Sequence, residues 1–220
     1  MPGIRVGGTR IAGVLFDCYG TLIDILTDEG DPATYRMLAR WLLYQGVLIE
    51  PDTLRSVYEE RVAGTLAKSR EEHPDIRIED VFAGICADYS IQKDTPLDSG
   101  IHAARAFRAA SLRRLAPIPG SLRLLDAWSG VPFALVSNGQ RVFSEPELAA
   151  AGLAGRFAVV LFSSDLGIQK PDPKIFRHAL AGLGIEPGGA LFIGDSYEND
   201  IAPARALGMQ AIHIRDAWQL

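Results

Sequence analysis

Cysteine is scarce: Cys18 and Cys86 are the only two among 220 residues. Two thiols build no disulfide framework, so the sequence predicts reduced cysteines and a cytoplasmic location. Basic residues are outnumbered, with 22 Lys and Arg against 27 Asp and Glu and a formal net charge of −5. A nucleic-acid surface needs clustered Lys and Arg, which excludes that class of partner and still leaves room for a small anion met by one local cation. No apolar stretch approaches the ~20 residues that span a bilayer, so no membrane partner is expected. The apolar run from Ile11 to Phe16 is too short for a secretory signal and leads straight into Asp17, and none is expected. The four histidines (His73, His102, His178 and His213) show no metal-ligating spacing. There is no internal repeat and no low-complexity segment.

What is present is a core. Hydrophobic residues make up 48% of the chain and charged residues 22%, which suits a soluble globular protein. Short apolar runs recur, and each closes on polar residues. Ile11–Phe16 leads into Asp17, and Phe133–Val136 into Ser137-Asn138-Gly139. Phe157–Phe162 leads into Ser163-Ser164-Asp165, and Ala190–Ile193 into Gly194-Asp195. Ala211–Ile214 is a last, weaker run. Unbroken apolar runs of this length read as strands covered on both faces. Helical stretches lie between them, at Ser121–Trp128, Glu145–Ala151, Pro173–Leu183 and Glu198–Leu207. Pro146 and Pro173 suit first-turn positions, and Gly152, Gly184 and Gly208 suit C-terminal caps. Alternating strands and helices predict an α/β fold with a doubly wound parallel sheet.

One gap breaks the alternation. Asp17 and Ser137 are 137 − 17 = 120 residues apart, far more than the ~30 of one βαβ unit. The interval reads as helical. Asp31 caps a first helix, with Pro32 at its first position and Gly46 beyond its end, and Tyr35, Leu38, Trp41 and Leu42 fall on one face. A second helix carries Leu54, Val57, Tyr58 and Val62; a third carries Ile78, Val81, Phe82, Ile85 and Tyr89; a fourth runs from Ser99 to Leu115. Residues 24–116 are therefore expected to form an α-helical cap domain, inserted into a core domain of residues 1–23 and 117–220. The sequence leaves open whether the protein is a monomer or a homodimer, and which of Arg36, Arg40 and Arg61 face the crevice.

Parallel sheets bind ligands beyond the C-terminal ends of their strands. Four polar groups are delivered there: Asp17 with Thr21, Ser137 with Asn138, Lys170, and Asp195 with Asp200. Taken singly, each reads equally as ordinary architecture: a turn, a solvated loop lysine or a helix cap. Taken together, in this order and spacing, they resemble the four motifs of the haloacid dehalogenase (HAD) superfamily of hydrolases. The resemblance covers essentially the whole chain and implies a Rossmann-like core. It implies that Asp17 is a nucleophile forming a covalent aspartyl intermediate. It implies a magnesium ion held by Asp17, the Tyr19 backbone carbonyl and Asp195, with Asp200 as a further ligand or support. Lys170 is then a fixed cation beside the nucleophile, while Ser137, with Asn138 and Thr21 nearby, donates to the transferred group.

Within that family the chain is mixed. Its phosphatases usually carry an aspartate two residues after the nucleophile, as the acid that protonates a leaving alcohol. Tyr19 stands there and resembles the 2-haloacid dehalogenases, whose halide leaves without a proton. Gly194-Asp195 and Phe176 point the other way, because the dehalogenase pattern has a serine-type pair and a tyrosine at those positions. The expectation is a magnesium-dependent phosphatase of a small anionic metabolite. A metal-independent 2-haloacid dehalogenase is the alternative, and a non-catalytic binding protein on the same fold is a third reading. Cys18 is expected to be a small buried thiol.

Overall fold

A computed structural model describes residues 5–92 and 98–219. A two-residue hairpin, β1 (Arg5–Val6) and β2 (Thr9–Arg10), precedes the first sheet strand, β3 (Gly13–Phe16). A ribbon strand, β4 (Ile23–Thr27), leads into four helices: α1 (Pro32–Tyr44), α2 (Pro51–Leu66), α3 (Ile78–Tyr89) and α4 (Ser99–Ser111). The chain returns through β5 (Leu112–Pro117) and α5 (Pro119–Ala127). It continues as β6 (Phe133–Ser137), α6 (Arg141–Ala150), β7 (Val159–Phe162), α7 (Ser163–Leu166) and α8 (Pro173–Leu183). Last come β8 (Ala190–Gly194), a wide π-type turn at Tyr197–Ile201, α9 (Ala202–Ala206), β9 (Gln210–His213) and α10 (Ile214–Ala217).

Five strands form one parallel sheet in the order β7-β6-β3-β8-β9. Alternate residues serve opposite faces, which is why the runs are apolar throughout. Val14 and Phe16 of β3 pack with Leu124 and Leu125 of α5, Leu148 of α6 and Ile214 of α10. Leu15 turns to the other face, with Ile175, Phe176 and Ala179 of α8. After β3 the chain moves outward through β6 and β7, then returns to β8 on the opposite side of β3. The loops at the C-terminal ends of β3, β6 and β8 thus meet where the order reverses, a place where such sheets bind ligands.

The four intervening helices share a separate apolar cluster. Tyr35, Leu38 and Leu42 of α1 meet Leu54, Phe82, Ile85 and Phe107 there. The expected periodicities hold, with Trp41, Val57, Tyr58, Val62 and Tyr89 half-buried at its rim. Val142 and Phe143 of α6 join this cluster, so the helical layer is seated on α6.

Three features differ from expectation. The fourth helix stops at Ser111; Leu112–Pro117 pair antiparallel with Ile23–Thr27, so a two-stranded ribbon carries the chain into and out of the helical layer. Pro146 lies inside α6 rather than in its first turn. It cannot donate to the Val142 carbonyl, and Arg105 Nε from α4 donates there at 3.4 Å. Finally, the segment expected as one helix from Glu198 begins as the wide turn at Tyr197–Ile201, a distortion often found at functional sites.

Candidate active site

Asp17 follows the last residue of β3, and its N–H donates to the Ile193 carbonyl of β8 at 2.9 Å. Its carboxylate is buried and has both oxygens engaged. Oδ1 accepts from Lys170 Nζ at 2.6 Å, and Oδ2 from Thr21 Oγ1 at 2.9 Å. Thr21 reaches back because Gly20 takes φ +78°, a conformation that side chains resist. A Cβ at Gly20 would stand 2.1 Å from Asp195 Oδ2, so the close approach of the two loops also demands glycine.

Lys170 is buried and also donates to Asp200 Oδ1 at 2.7 Å. Burial alone would lower its pKa, but the charges of Asp17 and Asp200 overcome this and hold it above the ordinary lysine value. Asn138 clamps the Lys170 backbone at two points. Its Nδ2 donates to the Lys170 carbonyl at 2.9 Å, and its Oδ1 accepts the Lys170 N–H at 2.7 Å. Asn138 therefore acts on the position of Lys170. Asp200 is used on both sides too, since Oδ2 accepts the Ser196 N–H at 3.0 Å. Ser137 Oγ differs: it is buried with no hydrogen-bond partner among the described residues.

Asp195, at the end of β8, is the carboxylate left over. One oxygen each of Asp17, Asp195 and Asp200 lies within 4.8 Å of the others. Partial desolvation, then the charge of Asp17, pushes the Asp195 carboxyl above the ordinary carboxylate range. Among the described residues, Lys170 is the only lysine or arginine that pairs with any of the three. Three hard oxygen donors with one cation to share is a donor set that fits magnesium.

The side chain of Tyr19 turns away from this cluster. Its hydroxyl lies 2.8 Å from Ser144 Oγ and donates to Glu147 Oε2 of α6. Burial, then the neighbouring Cys18 and Glu147, pushes the phenol well above its ordinary pKa, so it stays protonated. Glu147 is buried and itself raised by burial, with Arg108 of α4 beside it. Ser144, Glu147 and Arg108 are absent from the sequence expectation. Arg36 and Arg40 are exposed on α1, and Arg61 pairs with Asp88, so none of the three arginines singled out reaches Tyr19. Cys18 is buried, as expected. Phe176 packs against Phe192 with ring centroids 5.1 Å apart.

The family model for haloacid dehalogenase-like hydrolases matches residues 11–208. The chain belongs to this family. Among its relatives is the phosphoserine phosphatase of Thermus thermophilus, 40% identical over 85 residues, which are 39% of this chain and 34% of that protein. The phosphoglycolate phosphatase of Yersinia pseudotuberculosis is 27% identical over 210 residues, covering 92% of this chain and 80% of that one. Among solved structures, a 2-haloacid dehalogenase from Pseudomonas syringae pv. Tomato DC3000 superposes with a TM-score of 0.64 at 23% identity, covering 92% and 86% of the two chains. The chain spans about a third to a half of the first curated relatives it matches.

The geometry yields one stability prediction. Removing Lys170 leaves Asp17, Asp195 and Asp200 clustered without their counter-charge, and breaking a buried ion pair costs about 3–5 kcal/mol. Lys170→Met should lower unfolding stability by that amount in metal-free buffer, measured by urea denaturation. A change below about 1 kcal/mol would mean that the cluster does not depend on the lysine.

Proposed function

We propose that the protein is a magnesium-dependent phosphatase of a small phosphorylated metabolite, with Asp17 as the nucleophile. The observation that carries this reading is the third carboxylate. Asp195 beside Asp17 and Asp200 is an electrostatic cost with Lys170 as the only lysine or arginine partner among the described residues, and a bound divalent ion removes it. Asp17, Asp195 and the Tyr19 carbonyl would hold the ion. Asp200, paired with Lys170 through Oδ1, is a further ligand or supports Lys170. When bound, the ion neutralises charge between nucleophile and phosphoryl group.

The chain's own residues do the rest. Lys170 and Thr21 fix the Asp17 carboxylate in one orientation, so the attack loses little to misalignment. An Asp17 oxygen bonds to phosphorus as the ester P–O bond breaks and the leaving group departs as its alkoxide or phenoxide, which takes its proton from water. Water then hydrolyses the aspartyl phosphate, returning the carboxylate and releasing phosphate. Ser137 Oγ, buried and unpartnered, is free to donate to a phosphoryl oxygen. The four helices and their ribbon, residues 24–116, act as a cap over a core of residues 1–23 and 117–220. The enzyme works in the cytoplasm as a monomer or homodimer. Tyr19 favours a second reading, a 2-haloacid dehalogenase, but Asp195 has no evident task in a metal-free mechanism.

Three outcomes test this reading. Activity on p-nitrophenyl phosphate should vanish with chelator and return with magnesium, and Asp195→Asn should weaken magnesium binding in calorimetry. Chelator-resistant halide release from 2-chloropropionate would install the dehalogenase instead. Asp17→Asn should abolish turnover while leaving the thermal midpoint unchanged or higher, because it removes the charge facing Asp195. Normal turnover by that variant would exclude covalent catalysis at Asp17.

The third outcome concerns proton supply. The Tyr19 hydroxyl already donates to Glu147, so a leaving alcohol finds no carboxylic acid at this position. Positioned acid catalysis is typically worth roughly 10²–10⁴ in rate. Aryl phosphates should therefore be preferred over alkyl ones, and Tyr19→Asp should raise kcat/KM for an alkyl ester more than for an aryl ester. Equal native rates on a matched pair would show that another group supplies the proton.

A further inference from the structure

The crevice between the helical layer and the sheet edge has a charge character of its own. A cavity of about 390 Å³ opens there, floored by Tyr19, Asn138 and Gln169, the near neighbours in sequence of Asp17, Ser137 and Lys170. The part of a substrate beyond its phosphoryl group would lie in this space. Arg108 is the one lysine or arginine on its wall among the described residues, and its charge is balanced by two carboxylates, while its Nε makes no hydrogen bond. Its Nη1 lies 3.1 Å from Glu29 Oε1, its Nε 3.1 Å from Glu147 Oε1, and its guanidinium 4.4 Å above the Phe143 ring.

Two carboxylates, Glu29 and Asp75, line the same cavity. The N–H groups that open a helix could receive an anion, but that of Ile78 at the start of α3 already donates to Gln140 Oε1 at 2.9 Å. A wider neighbouring cavity, which shares Asp75, sets three cations against four carboxylates, and two of those cations, Arg61 and Arg77, are paired to Asp88 and Glu79. Neither space holds an excess of positive charge.

We infer that this crevice is an electrostatic filter that admits a phosphate ester whose leaving group is neutral or carries an ammonium and rejects one bearing a second anion, with Glu29 and Asp75 as the specificity-determining residues. The inference rests on the phosphatase reading and narrows it. Discrimination comes from repulsion as much as from attraction: a second anion meets Asp75 and a single guanidinium outnumbered by the two glutamates beside it, Glu29 and Glu147. The same filter disfavours a 2-haloacid, which carries its own carboxylate.

The test uses three esters of primary alcohols that differ in charge: O-phosphoethanolamine, glycerol 1-phosphate and 2-phosphoglycolate. Each is measured as a competitive inhibitor of p-nitrophenyl phosphate hydrolysis, so the order is read even if alkyl esters turn over slowly. The expected inhibition constant for 2-phosphoglycolate is on the order of tenfold weaker than for O-phosphoethanolamine, the size of a like-charge interaction across roughly 12 Å at the effective dielectric of a protein surface. Glu29→Gln should narrow that gap. Binding of 2-phosphoglycolate as tight as or tighter than the others overturns the inference and leaves the phosphatase intact. If p-nitrophenyl phosphate is not hydrolysed at all, the phosphatase reading falls, and the same order is read from thermal stabilisation of the protein by the three esters.

Discussion

Lys170, buried between Asp17 and Asp200 at 2.6 and 2.7 Å, is the contact on which the rest of the arrangement depends. An ammonium taken out of water costs several kcal/mol unless its partners are close and well aligned. Here each member of the triad comes from a different part of the sheet: Asp17 from the end of β3, Lys170 from the loop beyond α7, Asp200 from the turn after β8. The triad forms only if β3 and β8 lie side by side in the register that sets Phe16 against Ile193. A slip of one residue would send Asp17 to the opposite face. The Asn138 clamp then ties Lys170 to the end of β6 as well, so three adjacent strand ends are held by one buried cation and its supports.

That economy leaves a surplus. Lys170 answers two carboxylates, and Asp195 is a third within 4.8 Å. The crowding dictates the backbone around it. A Cβ at Gly194 would stand 2.3 Å from Asp200 Oδ2, and one at Gly20 would strike Asp195. Both glycines are therefore consequences of packing acidic side chains closer than their repulsion favours. Arrangements of this kind reduce stability and persist where they perform a task. The proposed ion is the group that would turn this surplus into binding.

How much of this the sequence revealed follows from the range of each signal. The sheet was legible because burial on both faces leaves a continuous apolar run, and the polar residues closing each run mark its C-terminal end. The ribbon was not. Leu112 and Leu115 extend the amphipathic pattern of α4, and the partner strand that overrides it starts at Ile23, far away in sequence. The surroundings of Tyr19 were hidden for the same reason: Glu147 is 128 residues distant and reads as a solvated helix position. Arg108 carries nothing in its local sequence that sets it apart from Arg36, Arg40 or Arg61. Only the seating of α4 against α6 brings it to the crevice.

The Tyr19 side chain links these separate observations. Two residues beyond Asp17, a carboxylic acid would face a leaving group; the tyrosine instead donates a hydrogen bond to Glu147, which lies beside Arg108, which pairs with Glu29. The chain of contacts runs from the loop after Asp17 through α6 into the helical layer. Along it carboxylates and a guanidinium alternate, so the guanidinium charge is balanced. The residue at the acid position is an anchor instead, and the one arginine of the crevice faces two glutamates. The same contacts that seat the helical layer on the sheet thus remove both a proton donor and a free cation from the crevice. On this reading, demand for a good leaving group and rejection of a second negative charge share one structural origin.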